Sequence, residues 1–473
     1  MSDNFLWGYA TASFQVEGAV DADGRGPSIW DTFTHIPGNI ADGSNADVSV
    51  DQYHRAEEDI MLLKTLGARA YRFSISWSRV IPLGGKDDPV NEAGVEYYAK
   101  LIELCHAHGI VPFVTLHHWD TPQALVDRYG GMLNTQKFVP DFERYATVCF
   151  DRFGRDVRHW LTFNEPWVIS ILGYGIGAFA PGRSSNRSHR AVGDSSTEPW
   201  IVGHSCILAH ASAVRVYRTC FQAHQRGQIG ITLNGDWAEP LEPDNAEHVA
   251  AAQRHLEFWI GWFADPIYLG DYPASMRAKL GDRLPCFTDE EKDLVKGSSD
   301  FYGMNHYTSN YIVPDECSGV TEYMGDAKYV YEKDGIPIGP QAESTWLRVV
   351  PWGFRKLLNW IHLRYAMPIY VTEFGCSVPG ECQMSLDQIV QDDFRINYYH
   401  GYLDSMLEAK EVDGVDVRAA FPWSLLDNFE WASGLSVRFG VVHVDYDTLV
   451  RTPKASSAFV KKWFEDHHER LQR

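Results

Sequence analysis

Short apolar runs recur along the chain and alternate with longer amphipathic segments. The runs are rich in Val, Ile, Leu, Phe, Tyr and Trp, which favour short buried strands. They predict eight strands, at residues 5–14, 68–77, 110–119, 159–166, 227–234, 299–308, 368–375 and 417–428.

The segments between these runs have the spacing of helices with one apolar face. They predict helices at residues 51–67, 91–109, 135–154, 200–221, 247–268, 350–366 and 386–407. Alternating strands and helices imply parallel strands that are joined by right-handed crossovers. With no break in composition, the pattern predicts an α/β fold: a closed (β/α)8 TIM barrel in a single domain, residues 1–473. Polar segments around 35–50, 182–198 and 310–345 are interpreted as long loop insertions at the C-terminal face of the barrel.

Composition and charge narrow the possible partners. Hydrophobic residues make up 45% of the chain and charged residues 22%, as in ordinary globular proteins. The 42 basic and 63 acidic residues give a net charge of −21, which argues against nucleic acid and anionic membranes as partners.

The chain has no apolar stretch of about 18 residues, the length that a membrane helix requires. Its first residues lack the basic and apolar segments of a signal peptide, so we expect a cytoplasmic protein, with secretion left open.

Two of the predicted strands end in a carboxylate. Glu165 ends the fourth apolar run and Glu373 ends the seventh. Catalytic groups of such barrels gather at the C-terminal ends of the strands, so these two side chains are expected to face each other across the barrel mouth. Two facing carboxylates in an aromatic pocket are the groups that glycoside hydrolysis requires. The alternative is that each glutamate forms an ion pair with a barrel arginine.

The neighbours of both glutamates resemble the signatures of glycoside hydrolase family 1, the β-glucosidase family. The two signatures are "TFNEPW" (162–167) and "VTEFG" (371–375), and the other segments of the family follow in order. These are "FLWGYATASFQVEG", "YRFSISWSRV", "LHHWDTP", "DFYGMNHYTS", "FPWSLLDNFEW" and "RFGVVHVD". One position departs from the family pattern, because Phe374 replaces the usual Asn after the second glutamate.

The resemblance implies a role for each matching residue. Glu373 is the expected nucleophile and Glu165 the acid and base, while Arg72 and Tyr307 hold Glu373 ionised and oriented. The residues expected to bind the sugar are Gln15, His118, Trp119, Asn164, Asn305, Trp423, Glu430, Trp431 and Phe439. Trp167 and Trp346 are expected beside the leaving group, or aglycone. The implied activity is that of a retaining β-glucosidase, without cofactor or metal, acting on small β-glucosides and short cello-oligosaccharides.

Several alternatives stay open or are disfavoured by particular residues. A galactosidase or fucosidase preference within the same family remains open, as do the aglycone and the oligomeric state. A 6-phospho-glycosidase would need a cation where this chain has Glu430, and a myrosinase would lack the acid that Glu165 supplies. A non-catalytic carbohydrate-binding barrel would be expected to lack one of the two glutamates. A metal-dependent hydrolase has "LHHWD" as its candidate ligand segment, and adjacent strand residues such as His117 and His118 point to opposite faces.

Overall fold

Eight parallel strands close into a barrel in the computed structural model, which describes residues 5–315 and 320–472. Each strand pairs with the next one along the chain, and the last pairs with the first. The strands are β1 (Leu6–Ala10), β2 (Ala70–Ser74), β3 (Val111–His117), β4 (His159–Asn164), β5 (Gln228–Asn234), β6 (Tyr302–Asn305), β7 (Ile369–Phe374) and β8 (Val417–Pro422). The predicted barrel and its eight strands are therefore confirmed.

A helix follows each barrel strand and covers the outside of the barrel. The helices are α1 (Gln52–Thr65), α2 (Glu92–Ala107), α3 (Thr135–Phe153), α4 (Glu198–Val216), α5 (Ala246–Leu256), α6 (Pro351–Tyr365), α7 (Asp393–Glu411) and α8 (Ala455–Asp466). Shorter helices occur at Ser13–Val16, Ile29–Thr34, Trp77–Val80, Gln123–Tyr129, Pro166–Val168, Gln222–Gln225, Trp262–Ala264, Ala274–Leu280, Asp289–Val295, Val320–Tyr323, Leu386–Ile389 and His468–Leu471. Within the described ranges, no helix combines the length and apolar character of a membrane span.

The helical pattern at residues 386–407 is divided in the structure. Leu386–Ile389 is a separate turn, and α7 begins after Asp392, whose backbone is left-handed with φ 54°. The Asp392 carboxylate binds Arg395 one turn into α7, so a local ion pair accompanies the break. The last helix, α8, was not predicted.

The insertion after β6, predicted as a loop at residues 310–345, contains strands. Ser309–Pro314 pairs in parallel with Trp237–Pro240, which follows β5, and antiparallel with Ala327–Val330. This three-stranded sheet stands beside the C-terminal face of the barrel and brings residues from two barrel loops together. Two further two-stranded sheets pair Glu332–Lys333 with Ile336–Pro337 and Val442–Val444 with Arg451–Pro453.

The interior of the barrel is aromatic toward the N-terminal ends of the strands and polar toward their C-terminal ends. Toward its N-terminal end, the Phe113 ring stacks on His159 at 4.0 Å and packs edge-on against Phe421 at 4.8 Å. Toward the C-terminal ends of the strands the interior becomes polar, where Arg72 donates to the Asn164 side chain at 2.7 Å. The aromatic layer stabilises the barrel, and the polar layer lies directly below the loops.

Buried charges connect the loops that follow β7 and β8. The Lys454 ammonium, fully buried, binds Glu381 at 2.5 Å and Asp427 at 2.8 Å. Asp427 also binds Arg438 at 2.7 Å, and Arg395 binds Glu381 at 2.8 Å. Because buried charges are costly unless paired, this network of ion pairs holds the two loops in one arrangement.

Candidate active site

Glu165 and Glu373 lie at the C-terminal ends of β4 and β7, as predicted. Both are buried, with 6% and 3% of their surface exposed. Glu165 has a left-handed backbone, with φ 48° and ψ 65°, and its N–H donates to the Thr232 carbonyl at 3.0 Å. A non-glycine residue in this region is strained, and such strain is concentrated at functional sites.

Both carboxylate oxygens of Glu373 accept a short hydrogen bond. Arg72 Nη1 donates to Oε1 at 2.5 Å, and the Tyr307 hydroxyl donates to Oε2 at 2.6 Å. Arg72 is itself held by the Thr372 carbonyl at 3.0 Å and the Thr115 hydroxyl at 3.2 Å. A cation and a phenol with fixed positions stabilise the ionised carboxylate and set its orientation.

Glu165 has a different environment. Its Oε1 accepts from Asn305 Nδ2 at 2.6 Å, and no arginine or lysine forms an ion pair with it within the described residues. Burial raises the pKa of Glu165 well above its ordinary value, and the negative charge of Glu373 raises it further. One carboxyl is therefore paired with a cation, while burial and a like charge favour the protonated form of the other, an arrangement that separates an acid from a nucleophile.

This coupling predicts a titration shift. Glu373→Gln removes the negative charge with little change in shape, so the pKa of Glu165 is expected to fall. The measurement is a carbon NMR or infrared titration of the Glu165 carboxyl in the variant and in the parent protein. Glu17→Gln, at a buried glutamate paired with Arg79, is the control for a distant charge change. An unchanged Glu165 titration in Glu373→Gln would show that the two carboxyls are not coupled.

A polar wall faces the two glutamates and contains Gln15, His118 and Glu430. Gln15 Nε2 donates to the Phe429 carbonyl at 2.9 Å, which leaves its buried Oε1 without a protein partner. His118 Nε2 lies 3.1 Å from Asn164 Nδ2, and its Nδ1 has no partner either. Burial holds the pKa of His118 well below its ordinary value, so the ring is neutral and Nδ1 carries the proton. Gln15 Oε1 is thus an acceptor and His118 Nδ1 a donor without a protein partner, and both are buried beside the cavity.

Glu430 completes this wall. Burial and the charge of Glu373 raise its pKa to about 8, while hydrogen bonds from Trp423 and Gln15 oppose the shift. The carboxyl can therefore carry a proton at neutral pH when no ligand is present.

Aromatic rings form the remaining surface of the site. Trp431 lies 4.4 Å from Trp119, and His118 stacks near Trp423 at 5.9 Å. The Trp119 indole N–H donates to the Asn164 carbonyl at 2.9 Å, so Trp119 offers a ligand its ring face. Phe439 packs edge-on against Tyr307 at 6.0 Å. Polar groups on one side and aromatic faces on the other suit a sugar ring.

The two glutamates open into a cavity of about 480 Å³, a size typical of small-molecule sites. Of the predicted site residues, Gln15, Arg72 and Asn164 lie behind the cavity surface and contact the residues that form it. The others line it: His118, Trp119, Glu165, Trp167, Asn305, Tyr307, Trp346, Glu373, Trp423, Glu430, Trp431 and Phe439. The fold therefore assembles in one place residues that are distant along the sequence.

Known proteins are similar to this chain over nearly its whole length. Residues 1–469 match the sequence model described as glycosyl hydrolase family 1. The chain belongs to glycosyl hydrolase family 1. It is 59% identical over 465 residues to beta-glucosidase 1B of Phanerodontia chrysosporium, covering 98% of this chain and 85% of that protein.

Solved structures of family 1 enzymes also match the fold. A family 1 β-glucosidase from the fungus Humicola insolens, in complex with glucose, superposes with a TM-score of 0.96 at 53% identity, covering 98% of each chain. The family 1 β-glucosidase of Thermotoga maritima gives a TM-score of 0.87 at 35% identity, covering 100% of this chain and 98% of that one. Members of the family act with retention of configuration.

The position at which this chain departs from the family pattern lies outside the cavity. Phe374 is fully buried, and its ring packs against Phe354 at 6.2 Å and Tyr399 at 5.7 Å. It therefore fills the space between β7 and the helices α6 and α7. Among the described residues that line the cavity, Phe374 is not included.

The cavity wall around Trp167 contains residues that sequence reasoning missed. Trp167 stacks on Trp259 at 3.6 Å, and Asp236 and Tyr329 complete the same wall. Asp236 comes two residues after β5, so its position at a strand end was a signal that could have identified it. Trp259 lies within a helical pattern and Tyr329 within the insertion, where no local signal marks them. Trp346 stands at the mouth of the cavity, 46% exposed.

The segment "LHHWD" (116–120), with His117 and His118, was the candidate metal-ligand segment of the sequence. Within residues 5–315 and 320–472, no three His, Cys, Asp or Glu side chains are grouped so that they could hold a metal ion. His117 Nε2 lies 2.8 Å from the Thr121 hydroxyl, whereas His118 contacts Asn164. The two adjacent histidines thus have separate partners.

Proposed function

We propose that this protein is a retaining β-glucosidase that removes terminal, non-reducing β-D-glucosyl residues from β-glucosides and short cello-oligosaccharides. The observation that carries the proposal is the unequal environment of the two glutamates. Arg72 and Tyr307 donate hydrogen bonds to Glu373, while burial and the neighbouring charge raise the pKa of Glu165 and favour its protonated form. The identity to β-glucosidases of the same family supports the choice of sugar.

In the first step, Glu373 attacks the anomeric carbon as Glu165 protonates the leaving oxygen. The products are a glycosyl-enzyme and a free alcohol. Esterification removes the negative charge of Glu373, so the pKa of Glu165 falls, and the carboxylate that Glu165 became on giving its proton to the leaving oxygen stays ionised. In the second step, Glu165 accepts a proton from water, which attacks the anomeric carbon from the opposite side and releases glucose.

The polar and aromatic walls are proposed to position the glucosyl ring. Glu430 accepts from the 4- and 6-hydroxyl groups, and Gln15 Oε1 and His118 Nδ1 complete the hydrogen bonding. Trp423 lies under the ring. The unpartnered atoms of Gln15 and His118 support this arrangement, because buried polar groups normally have a partner.

The stereochemistry tests the mechanism. A covalent intermediate implies two inversions, so the first sugar released is expected to be β-glucose. Proton NMR in the first minutes, before mutarotation, distinguishes β-glucose from α-glucose. Early appearance of the α-anomer would contradict the proposed role of Glu373 as nucleophile.

The charge of the cavity supports an unphosphorylated substrate. Acidic residues Glu165, Asp236, Glu373 and Glu430 line it, and no lysine or arginine is among the described residues at its surface. A phosphate on the sugar would require a cation. A panel of nitrophenyl glycosides, including galactoside, fucoside and 6-phosphoglucoside, measures the preference directly.

The cysteines support a reducing compartment, and we propose the cytoplasm. Seven of the eight cysteines lie in the described ranges, and these seven are free thiols; Cys317 lies outside those ranges. Free thiols are typical of cytoplasmic proteins.

A further inference from the structure

Tyr307 donates its phenol hydrogen to Glu373, yet its own backbone lies beyond the barrel strands. β6 ends at Asn305, and the next strand, Ser309–Pro314, belongs to the three-stranded sheet. The His306 N–H donates to the Glu373 carbonyl at 3.0 Å, which pairs the two segments one residue before Tyr307. Strand pairing therefore does not by itself fix the residue whose hydroxyl meets Glu373 Oε2 at 2.6 Å.

Two tyrosines of α7 bind the backbone of Tyr307. The hydroxyl groups of Tyr398 and Tyr402 both donate to the Tyr307 carbonyl, at 3.2 Å and 2.9 Å. Both tyrosines are fully buried, and their rings stack at 3.9 Å, one turn apart on the helix. Burial raises the pKa of Tyr398 well above its ordinary value, so its hydroxyl stays protonated and can donate.

The Tyr398 hydroxyl also accepts a hydrogen bond from the other segment. The N–H of Gly375, two residues after Glu373, donates to it at 3.2 Å. One side-chain oxygen thus joins the segment that carries Glu373 to the segment that carries Tyr307. The Tyr402 hydroxyl accepts from the Val350 N–H at 3.2 Å, which ties the same carbonyl to the start of α6.

α7 itself is bound to the segment after β7. The Arg395 side chain is fully buried, and its Nε donates to the Cys376 carbonyl at 3.2 Å. Its other nitrogens bind the carboxylates of Asp392 and Glu381. Because buried charges are costly unless paired, these ion pairs keep the helix in place beneath Gly375.

We propose that Tyr398, assisted by Tyr402, is a positioning residue for the covalent step, because its hydroxyl sets the Tyr307 phenol against the Glu373 carboxylate. The inference rests on the proposed function, in which Glu373 is the nucleophile. Neither α7 tyrosine is among the described residues that line the cavity, so both act through Tyr307. The competing explanation is that the two hydroxyls only satisfy buried backbone groups.

Tyr398→Phe removes the hydroxyl and keeps the ring. The kcat for 4-nitrophenyl β-glucoside is expected to fall about 10-fold, because small displacements of reacting groups are costly. The inhibition constant of glucose should stay within about two-fold of the parent value, since uniform binding is not altered. The sugar contacts proposed above come from Gln15, His118 and Glu430, on the polar wall of the cavity. A lower kcat with unchanged glucose binding indicates a misplaced nucleophile.

Tyr268→Phe is the matched control. The Tyr268 hydroxyl also donates to a backbone carbonyl, that of Phe301 at 2.8 Å, but at the opposite end of β6. Its kcat should stay within about two-fold of the parent value, as for a change remote from the reacting groups. The rate at which the glycosyl-enzyme forms, measured by rapid quench and mass spectrometry, should fall in Tyr398→Phe and not in Tyr268→Phe.

A double-mutant cycle separates positioning from simple satisfaction of the backbone. Tyr307→Phe has no phenol left to position, so adding Tyr398→Phe to it should lower kcat by less than about two-fold. A purely structural effect would be the same in both backgrounds. Tyr402→Phe, which loses the shorter bond to the same carbonyl, is the second variant for this cycle in case Tyr398→Phe does not fold.

The possible results have distinct meanings. An unchanged kcat in Tyr398→Phe and Tyr402→Phe, or a loss that persists in full without the Tyr307 hydroxyl, would overturn the proposal. Absence of β-glucoside hydrolysis by the parent protein would instead overturn the proposed function.

Discussion

Glu373→Ala is expected to lower kcat for aryl β-glucosides by at least about 10⁴-fold, since no other group can form the covalent intermediate. Arg72 and Tyr307 would remain in place, facing the space that the carboxylate leaves. That space should accept a small anion, because the positive charge of Arg72 no longer has its partner. Steady-state kinetics with a nitrophenyl glucoside measures the loss.

Added azide distinguishes the nucleophile from the acid. In Glu373→Ala, azide should enter the vacated space, attack from that face and give α-glucosyl azide in a single inversion. In Glu165→Ala, a substrate with a good leaving group still forms the glycosyl-enzyme, so azide should give β-glucosyl azide from the other face. The same anomer from both variants, or no recovery in either, would contradict the assigned roles.

Glu430→Gln is expected to lower kcat/KM for glucosides by about 100-fold or more. A site built to hydrogen-bond particular hydroxyls loses much of its binding when one ligand-facing group is changed. The comparison of β-glucoside with β-xyloside, which lacks the 6-hydroxymethyl group, should show a smaller effect on the xyloside. Wild-type kinetics in this variant would remove Glu430 from the site.

The same variant should be more stable than the parent protein at high pH. The pKa of Glu430 is raised from an ordinary value of 4.5 to about 8 in the folded state. The folded state therefore binds the proton more tightly, and stability is lost as pH rises from about 4.5 to 8. Glutamine has no proton to lose, so Tm of Glu430→Gln should exceed that of the parent at pH 8 and match it near pH 4. A lower Tm at pH 8 would contradict the raised pKa.

Opposite effects on activity and stability are typical of functional carboxylates. Glu165 and Glu430 are both held in surroundings that disfavour their charge. A fold selected for stability alone would replace them with apolar or amide side chains.

Local sequence was sufficient for some of these residues and insufficient for others. Glu165 and Glu373 could be recognised because each polar residue interrupts an apolar run at the end of a strand. The residues proposed to bind the sugar were identified through resemblance to the family, since His118 and Trp423 alone look like core residues. Trp259 and Tyr329 were missed because a helix and an inserted sheet bring them to the cavity from outside the barrel strands. Phe374 could be placed behind β7 only from its packing.

The sequence by itself determined the order of the eight barrel strands and of the helices α1 to α7, the closed barrel and the strand ends at which the two glutamates stand. These follow from hydrophobic periodicity, which is a property of neighbouring residues and needs no knowledge of distant contacts. Tertiary structure decided which glutamate is paired with Arg72, how far burial raises the pKa of Glu165 and Glu430, and which polar atoms remain without partners. Those properties depend on distance and desolvation between segments up to hundreds of residues apart, and only the folded chain defines them.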